Sequence, residues 1–471
     1  MAEKKSNKIL SNYNPFLNPL FSYHILKAYL QDVERIFRSS PEQIKKYQNS
    51  NLKQTLDYSK KVPVYSKKYK ELNINYDEIN GIDDIRKLPL ISKDDMRDGF
   101  PNQIIPSDKK PDDFWEISTS GATGKPFIIF RSTYSLYKDH LASLRMFKII
   151  DIDWRKDKIL SIGAFSSQGR YDNASERGIV NRLKPFFPFD NFKSVDYFYQ
   201  DTEKKIDIID KFQPDFISSF PGDLQKMATL KKEGLGKNIK PRIIVTSGGT
   251  LDKYMREYIE DAFECKICDV YSSIEMGPGA VQCKEGNYHI FSDFINLEFL
   301  DKQGEPVASG EPGHVVLTRF FGGGTPIIRY TGLDDIVTPL YEKCPCGLDT
   351  PIIKNIEGRS AQQIALPNGT YITPVVFWRL LYKVMRRLNT DKIIQYQVVQ
   401  ENIKRFRFLL VFDQKKKNAP PSNEELFKEI IKEYTGSFGK ELEIIFEEVD
   451  KVIGADNPSK PPQMVISKLN K

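Results

Sequence analysis

The sequence has few of the residues that cross-link secreted proteins, and it lacks the long apolar runs that cross membranes. Five cysteines occur in 471 residues, and so sparse a set argues against a disulfide framework. No run of about 18 apolar residues is present, the length that a spanning helix needs, and the mean hydropathy is −0.46. The stretch MAEKKSNKILSNYNPF at the start is charged and does not look like a secretion signal. We therefore expect a cytoplasmic protein without a membrane span.

Charge of either sign is not concentrated along the chain. Lysine and arginine number 70 against 63 aspartates and glutamates, a net charge of +7, but the lysines are scattered and often stand beside acids. A nucleic-acid platform needs basic residues clustered on one face, so we expect no nucleic-acid partner, while an anionic small ligand such as a nucleotide is compatible. Of the four histidines, three are isolated, and a histidine-based nucleophilic triad is not supported.

Apolar residues are plentiful, at 40% of the chain, and their pattern predicts the fold class. The segments KILSIG, DFISSF, RIIVTSG and KICDVYS alternate with helical patterns, as in a doubly wound α/β layer. From about residue 286, strands separated by glycine and proline turns predict a β-barrel-like subdomain or an antiparallel sheet. We therefore predict an α/β N-terminal domain, residues 1–357, followed by a small mobile α+β domain, residues 358–471.

A polar loop, ISTSGATGKP at residues 117–126, stands directly before the apolar run FIIF. Backbone amides beside glycine, together with hydroxyls and a lysine, form nests that bind phosphate oxygens. The candidate phosphate-binding residues are Thr119, Ser120, Gly121, Thr123, Gly124 and Lys125. The loop differs from a Walker A loop, because Pro126 occupies the position of the Mg²⁺-binding hydroxyl. A surface turn is the alternative interpretation.

Four further motifs follow this loop in a fixed order. They are TSGGTL (246–251), YSSIE (271–275), PIIRYTGLDDIV (326–337) and IEGRS (356–360). In this order and spacing they resemble the adenylate-forming superfamily of acyl-CoA synthetases, adenylation domains and luciferases. LPLISKDDMR, GEPVASGEPGHVVLTRF and CPCG resemble its phenylacetate–CoA ligase and capsular-polysaccharide (CapK-like) branch in particular. The resemblance covers nearly the whole chain.

The resemblance implies an AMP-forming acid–CoA ligase. Such an enzyme uses ATP and Mg²⁺ to convert a small carboxylic acid, here an aromatic or related one, to an acyl-adenylate with release of pyrophosphate, and then transfers the acyl group to CoA. A carboxylate with a pKa of about 4 is already ionised at neutral pH and needs no general base. The protein instead has to hold two anions together and neutralise the charge that develops.

The resemblance also assigns roles to single residues. The polar loop, with Lys125, would clamp the phosphates of ATP, and Glu275 would hold Mg²⁺. Gly248 and Gly249 would let the backbone lie against the adenine, and Tyr271 would stack near the base. Ser247 and Ser272 are further candidate nucleotide-binding residues. The alternatives are a helix cap for Glu275 and a core position for Tyr271.

Toward the C-terminus, the aspartate on the ribose hydroxyls falls at Asp334 or Asp335, and we prefer Asp335. Arg359 would approach the ribose or a phosphate near the hinge, and Lys460 would be the mobile catalytic lysine that bridges carboxylate and α-phosphate. The alternatives are an acidic turn for the aspartates, a surface pair with Glu357 for Arg359, and an exposed tail for Lys460.

Several positions depart from the family pattern. Ala122 and Ile274 replace hydroxyl residues, Ala361 and Gln362 stand where the family has an acidic hinge pair, and no glycine precedes Lys460. These departures keep a second hypothesis open. In it, the chain is a CapK-like nucleotide-binding homologue in surface polysaccharide biosynthesis, which adenylates without CoA transfer or is not catalytic.

Cysteine and histidine spacing indicates a metal site. Cys283 and His289 are close in sequence, and Cys344 and Cys346 form a C-x-C. Three thiols and one imidazole make a closed tetrahedral zinc set, which leaves no position for water and is therefore structural. The branch named above often shows a similar arrangement. The alternative is that Cys283 is a buried small residue and that CPCG is a plain turn.

The sequence is compatible with an oligomer.

Overall fold

The computed structural model consists of two compact units. They are Met1–Leu333 with Thr338–Asn355, and Asp334–Val337 with Ile356–Lys471. The structure describes residues 17–118, 127–163, 190–196, 201–249, 251, 253–320, 323–359, 364–372, 374–453 and 465–469. None of the helices in these ranges has the length and apolar character needed to cross a membrane.

The first unit begins with three helices that each start on a proline. They are α1 (Pro19–Arg38), α2 (Pro41–Ser59) and α3 (Pro63–Glu71). Proline suits the first helical turn because its φ is already helical and its missing N–H would have no partner there. Ser40 also caps α2 in a reciprocal capping box.

A short helix, α4 (Lys93–Asp98), begins after its N-cap residue, Ser92. The Ser92 hydroxyl accepts a hydrogen bond from the Asp95 N–H at 3.1 Å, and the Asp95 carboxylate accepts one from the Ser92 N–H at 2.7 Å. Two otherwise unpaired helix donors are satisfied in this way. The strand-like residue before the cap, Ile91, forms a parallel bridge with Tyr330.

Two short strands flank the polar loop. β1 (Trp115–Ser118) and β2 (Ile128–Arg131) pair antiparallel, with Ser118 opposite Ile128. The loop between them lies outside the described residues. Helix α5 (Thr133–Ile149) follows β2 and is capped by Ser132.

Five strands of the central sheet run parallel, and helices follow or precede them as in a doubly wound fold. The strands are β3 (Ile159–Gly163), β4 (Phe192–Asp196), β5 (Phe216–Ser219), β6 (Ile243–Ser247) and β7 (Lys266–Ser273). The helices are α6 (Thr202–Phe212), α7 (Pro221–Lys232) and α8 (Lys253–Phe263). The core between the sheet and these helices is fully buried. It contains Leu160, Ile217 and Ile244 from the strands and Leu224 and Ile259 from the helices, each with 0% exposure. The predicted α/β layer is confirmed.

The later strands extend the same sheet. They are β8 (Gly277–Gln282), β9 (Tyr288–Ile290), β10 (Ile295–Leu300), β11 (Gly313–Arg319), β12 (Asp335–Leu340) and β13 (Ile352–Arg359). The strand order is β10-β11-β12-β13-β9-β8-β7-β6-β5-β3-β4. The barrel-like expectation is not met, because strands β3 to β13 form one open sheet of 11 strands and none of the described strands closes it into a barrel. Its antiparallel alternative holds for the pairs β7–β8, β8–β9, β9–β13 and β10–β11.

The second unit has a four-stranded sheet and two helices. The strands are β16 (Ile393–Gln400), β17 (Arg405–Phe412), β18 (Glu443–Glu448) and β19 (Val465–Ser467), in the order β18-β17-β16-β19, and a small pair, β14 (Ile364–Ala365) and β15 (Tyr371–Ile372), precedes them. The helices are α9 (Pro374–Arg387) and α10 (Asn423–Phe438). Phe406, Phe408 and Leu410 of β17 pack with Leu426 and Ile430 of α10. The predicted α+β character of this region is confirmed, while the domain boundary at residue 357 stays a prediction.

Candidate functional site

Two of the predicted motifs meet at the carboxyl edge of the parallel strands. Ser247 ends β6 and is paired with Val270 of β7, so that Tyr271 comes one residue further along the neighbouring strand. Gly248 then turns the chain with φ of +71°, and a Cβ there would lie 3.1 Å from the ring of Phe220. Glycine suits this position because left-handed backbone disfavours side chains. Ligands of open α/β sheets bind at this edge.

Glu275 lies in the tight turn between β7 and β8, and not at a helix start. Two buried arginines from other elements hold the main chain of this turn. Arg131 Nη2 donates to the carbonyl of Ile274 at 2.6 Å and to that of Glu275 at 3.3 Å, and Arg319 Nη1 donates to the carbonyl of Met276 at 2.9 Å. Three consecutive carbonyls are therefore fixed by charged donors, which make stronger hydrogen bonds than neutral ones.

The two arginines share one acidic partner and one hydroxyl on α5. The Asp139 carboxylate lies 2.6 Å from Arg319 Nη2 and 3.7 Å from Arg131 Nη2. The Ser135 hydroxyl accepts hydrogen bonds from both guanidinium groups, at 3.2 and 3.1 Å. Because a buried charge is costly unless it is paired and hydrogen-bonded, this network explains how two cations are accommodated beneath the turn.

The Glu275 carboxylate is itself buried, with 3% of the residue exposed. Within the part of the chain that the structure describes, one side-chain donor reaches it: the Tyr330 hydroxyl, 3.4 Å from Oε1. Burial, followed by the nearby Glu275 charge, raises the pKa of Tyr330 far above its ordinary value, so the phenol stays protonated. The Tyr330 ring stacks on Phe127 with centroids 5.9 Å apart, and Phe127 directly follows the polar loop.

Several predicted residues cannot be placed, because they lie outside the described residues. They are Thr119, Ser120, Gly121, Thr123, Gly124, Lys125 and Lys460. Their assignments stay predictions.

Asp334, Asp335 and Arg359 belong to the second unit. Asp334 has a left-handed backbone with φ of +59°, a conformation that aspartate tolerates better than most residues. Asp335 begins β12, and its carboxylate lies 3.7 Å from Arg359 Nε. The Arg359 side chain is 54% exposed, so the pair contributes little to stability and leaves the guanidinium accessible.

The predicted metal-binding residues come together in the first unit. The ligand atoms of Cys283, His289, Cys344 and Cys346 all lie within 4.8 Å of one another. Cys283 Sγ is 3.7 Å from Cys344 Sγ, and Cys346 Sγ is 3.1 Å from His289 Nε2. The antiparallel pairing of His289 with Ile352 brings the β8–β9 turn beside the turn that carries the C-x-C. We call these four residues the Cys/His cluster.

Burial affects the four groups of the Cys/His cluster differently, and a bound cation would require the three thiols to lose their protons. Desolvation lowers the pKa of His289 to about 4, which keeps the imidazole neutral. Burial raises the pKa of Cys346 to about 12. At Cys344 burial also raises the pKa, but hydrogen bonds from Asn287 and neighbouring groups outweigh it and lower the pKa. The His289 Nδ1 contacts the Thr350 hydroxyl at 2.9 Å, which leaves Nε2 facing the thiols as in zinc sites with an oriented histidine. The donor set therefore fits zinc.

Sequence reasoning missed four residues around Glu275: Arg131, Asp139, Arg319 and Tyr330. Two signals were available, since Tyr330 lies inside the recognised segment PIIRYTGLDDIV and Arg319 inside GEPVASGEPGHVVLTRF. Arg131 and Asp139 belong to no quoted motif, and all three residues other than Tyr330 are 40 or more positions from Glu275, so that only the fold reveals their place around this turn.

Searches with family models match nothing in this chain. Among curated relatives, protein CapK of Staphylococcus aureus is 25% identical over 438 residues, which cover 90% of each chain. The phenylacetate-coenzyme A ligase of Thermus thermophilus is 23% identical over 375 residues, which cover 76% of this chain and 78% of the relative.

Among solved structures, 2-hydroxyisobutyryl-CoA ligase in the postadenylation state, in complex with R3-HIB-AMP, matches 92% of this chain and 90% of its own, with a TM-score of 0.75 and 18% identity. This chain has the fold of the adenylate-forming ligases. The resemblance inferred from five short motifs thus agrees with the names of the homologues, and the fold that it implied is confirmed.

Proposed function

We propose that the protein activates a carboxylic acid with ATP and transfers the acyl group to CoA. The observation that carries the proposal is the buried Glu275, fixed in the β7–β8 turn beside the glycine turn after β6. An aromatic or related acid is the substrate class that the phenylacetate-coenzyme A ligases among the relatives favour.

In the first half-reaction, an oxygen of the ionised acid forms a bond to the α-phosphorus of ATP, and the bond to the pyrophosphate oxygen breaks. The acid needs no deprotonation at neutral pH, so the protein contributes orientation and charge stabilisation. Bound Mg²⁺ would neutralise phosphate charge. Glu275 is the residue that would hold it, since Mg²⁺ is usually bound by one or two carboxylates together with substrate phosphates.

The remaining nucleotide contacts are assigned by motif. Ser247, Gly248, Gly249, Tyr271 and Ser272 form the adenine side, and the polar loop with Lys125 clamps the phosphates. In the second unit, Asp334 or Asp335 binds the ribose, Arg359 acts near the hinge, and Lys460 bridges carboxylate and α-phosphate. Residues 358–471 would then act as the mobile domain of the enzyme.

The Cys/His cluster is proposed to hold one structural Zn²⁺. Four protein ligands complete the tetrahedral set, so the metal would take no part in the reaction. It would tie the β8–β9 turn to the turn before β13.

A second candidate function is favoured by one observation: the relative that covers 90% of this chain is named CapK. In this alternative the protein binds or adenylates its acid without passing it to CoA. The two candidates share the nucleotide site and differ in the acceptor.

Exchange of labelled pyrophosphate into ATP, measured over a panel of aromatic, hydroxy, fatty and amino acids, tests the proposal. We expect exchange with one class of acid and a loss of about 100-fold or more in Glu275→Gln, the scale of removing a group that stabilises transition-state charge. Glu311→Gln, in an exposed turn, is the matched control.

Release of AMP that depends on CoA would then distinguish the two candidates. Nucleotide binding without exchange for any acid would favour a non-catalytic homologue and contradict the ligase.

A further inference from the structure

The main chain around Glu275 is fixed by hydrogen bonds, but these bonds do not set the direction of the Glu275 carboxylate. Arg131 and Arg319 fix the carbonyls on both sides of Glu275 and its own carbonyl. What they leave undetermined is the direction of the carboxylate, because neither guanidinium group contacts it among the described residues. A metal-binding carboxylate is effective when its direction is also set, usually by a group that does not touch the metal.

Tyr330 is held firmly enough to set that direction. Its N–H and carbonyl both bond to Leu317, each at 2.9 Å. Its ring stacks on Phe127 with an interplanar angle of 17°. A Cβ on Gly332 would lie 2.2 Å from the Tyr330 hydroxyl oxygen, so the glycine leaves the space that the phenol occupies. Tyr330 has an exposure of 0%, and its hydroxyl is aimed at Glu275 Oε1.

We propose that Tyr330 is the positioning residue for Glu275: its hydroxyl engages one carboxylate oxygen and turns the other toward the metal and the phosphates. This inference rests on the proposed function, in which Glu275 holds Mg²⁺. The contact, at 3.4 Å, is longer than the usual O–H···O distance of about 2.7–2.8 Å. A hydrogen bond of this length is weak, so it leaves the charge of the Glu275 carboxylate available to a cation.

Tyr330 contacts two parts of the candidate site at once. The same ring that meets Glu275 also stacks on the residue following the polar loop, so one side chain lies between two segments that the sequence separates by more than 140 positions. Replacing Tyr330 by phenylalanine keeps the ring and its contact with Phe127 and removes the hydroxyl. The substitution therefore tests the orientation of Glu275 apart from packing.

The experiment measures ATP binding by calorimetry in the absence of acid, once with Mg²⁺ and once with EDTA. In Tyr330→Phe we expect affinity in Mg²⁺ to fall about 10-fold, the lower end for losing an outer-shell partner of a metal ligand. Affinity in EDTA is expected to stay unchanged. Glu275→Gln should abolish the benefit of Mg²⁺, and the double variant Glu275→Gln/Tyr330→Phe should bind like Glu275→Gln alone, since the two side chains act through one interaction.

Tyr65→Phe is the control for the structural cost of losing a buried hydroxyl. Tyr65 donates to the Pro326 carbonyl at 2.8 Å and accepts from the Ile328 N–H at 3.1 Å, so it supports the same segment without contacting Glu275. Its binding in Mg²⁺ and in EDTA should match the wild type.

Equal weakening of Tyr330→Phe in both buffers, or full additivity with Glu275→Gln, would overturn the positioning role while leaving the proposed function intact. ATP binding by the wild type that does not respond to Mg²⁺ would overturn the proposed function, and the role of Tyr330 with it.

Discussion

Two clusters of polar side chains in the first unit differ in how the energetic cost of burying them is compensated. In the ionic cluster, Lys138 pairs with Asp32, and Arg145 grips both carboxylate oxygens of Asp293 at 2.7 and 2.8 Å. The side chains of Arg145 and Asp293 have an exposure of 0%. Each charge meets its opposite within the chain, as a buried ion pair requires.

The Cys/His cluster contains no such balance of charge. Its four ligand atoms face one another within 4.8 Å, and the groups they belong to are a neutral imidazole and three thiols. Between such groups only weak hydrogen bonds form. The ionic cluster is thus neutralised by groups of the chain itself, whereas the zinc proposed for the Cys/His cluster would supply its positive charge from solution.

The largest effect is expected from the Cys/His cluster. Purified protein should contain about one zinc per chain, and Cys344→Ser should lose the metal because one of its four ligands is removed. The variant should also be less stable, because the binding free energy at structural zinc sites, on the order of 10 kcal/mol, contributes to the stability of the fold. Elemental analysis and thermal unfolding measure the two effects together. Cys265→Ser, outside the cluster, should keep the metal. A metal-free wild type with unchanged thermal stability would contradict the zinc site.

Breaking the ionic cluster should have the next largest effect. Arg145→Met leaves the Asp293 carboxylate buried, which should cost about 3–5 kcal/mol in the free energy of unfolding. We expect the lower part of that range, since Arg35 lies 3.4 Å from Asp293 and offsets part of its charge. Denaturant titration measures the change.

The double variant Arg145→Met/Asp293→Leu tests the cause, because removing both charges should restore much of the loss. Zinc content should not change in either variant. A double variant no more stable than Arg145→Met would show that packing, and not the unpaired charge, causes the loss.

The smallest effect is expected from an ion network at the surface of the second unit. Arg387 pairs with Glu429 at 2.6 Å and with Glu433 at 2.9 Å, distances as short as those of Arg145, but its side chain is 42% exposed. Arg387→Ala should therefore cost less than about 1 kcal/mol, and added salt should reduce the difference further. A loss as large as that of Arg145→Met would contradict the role assigned to burial.

Much of the fold could be predicted from local patterns. The prolines and capping residues at helix starts act within one turn, so a cap such as Ser92 can be recognised from four neighbouring residues. The strands after Gly286 were also recognised, but their partners were not. β9 pairs with β13, which lies 60 or more residues later, and turn residues alone do not specify whether such strands close on themselves or extend a sheet.

The residues of the candidate site fall into the same two groups: some can be recognised from local sequence, and others are brought together only by the fold. The motif around Glu275 was identified because its residues are contiguous, and the Cys/His cluster because cysteine and histidine are rare in this chain. Arg131, Arg319 and Tyr330 reach Glu275 only through the sheet and α5. Arginine and tyrosine are common residues with many structural uses, so their presence in the sequence did not point to this turn.

The connectivity of the sheet also orders events during synthesis of the chain. Strands β3 to β7 are complete once residue 273 has been made, and most pair with sequence neighbours, which favours early association. The pair β9–β13 and the Cys/His cluster must wait for residues 344 to 359. Until then, a ribosome-bound chain exposes the Cys283 thiol and the edge of β9 that later pairs with β13, so we expect aggregation and oxidation during synthesis to affect this part of the sheet first.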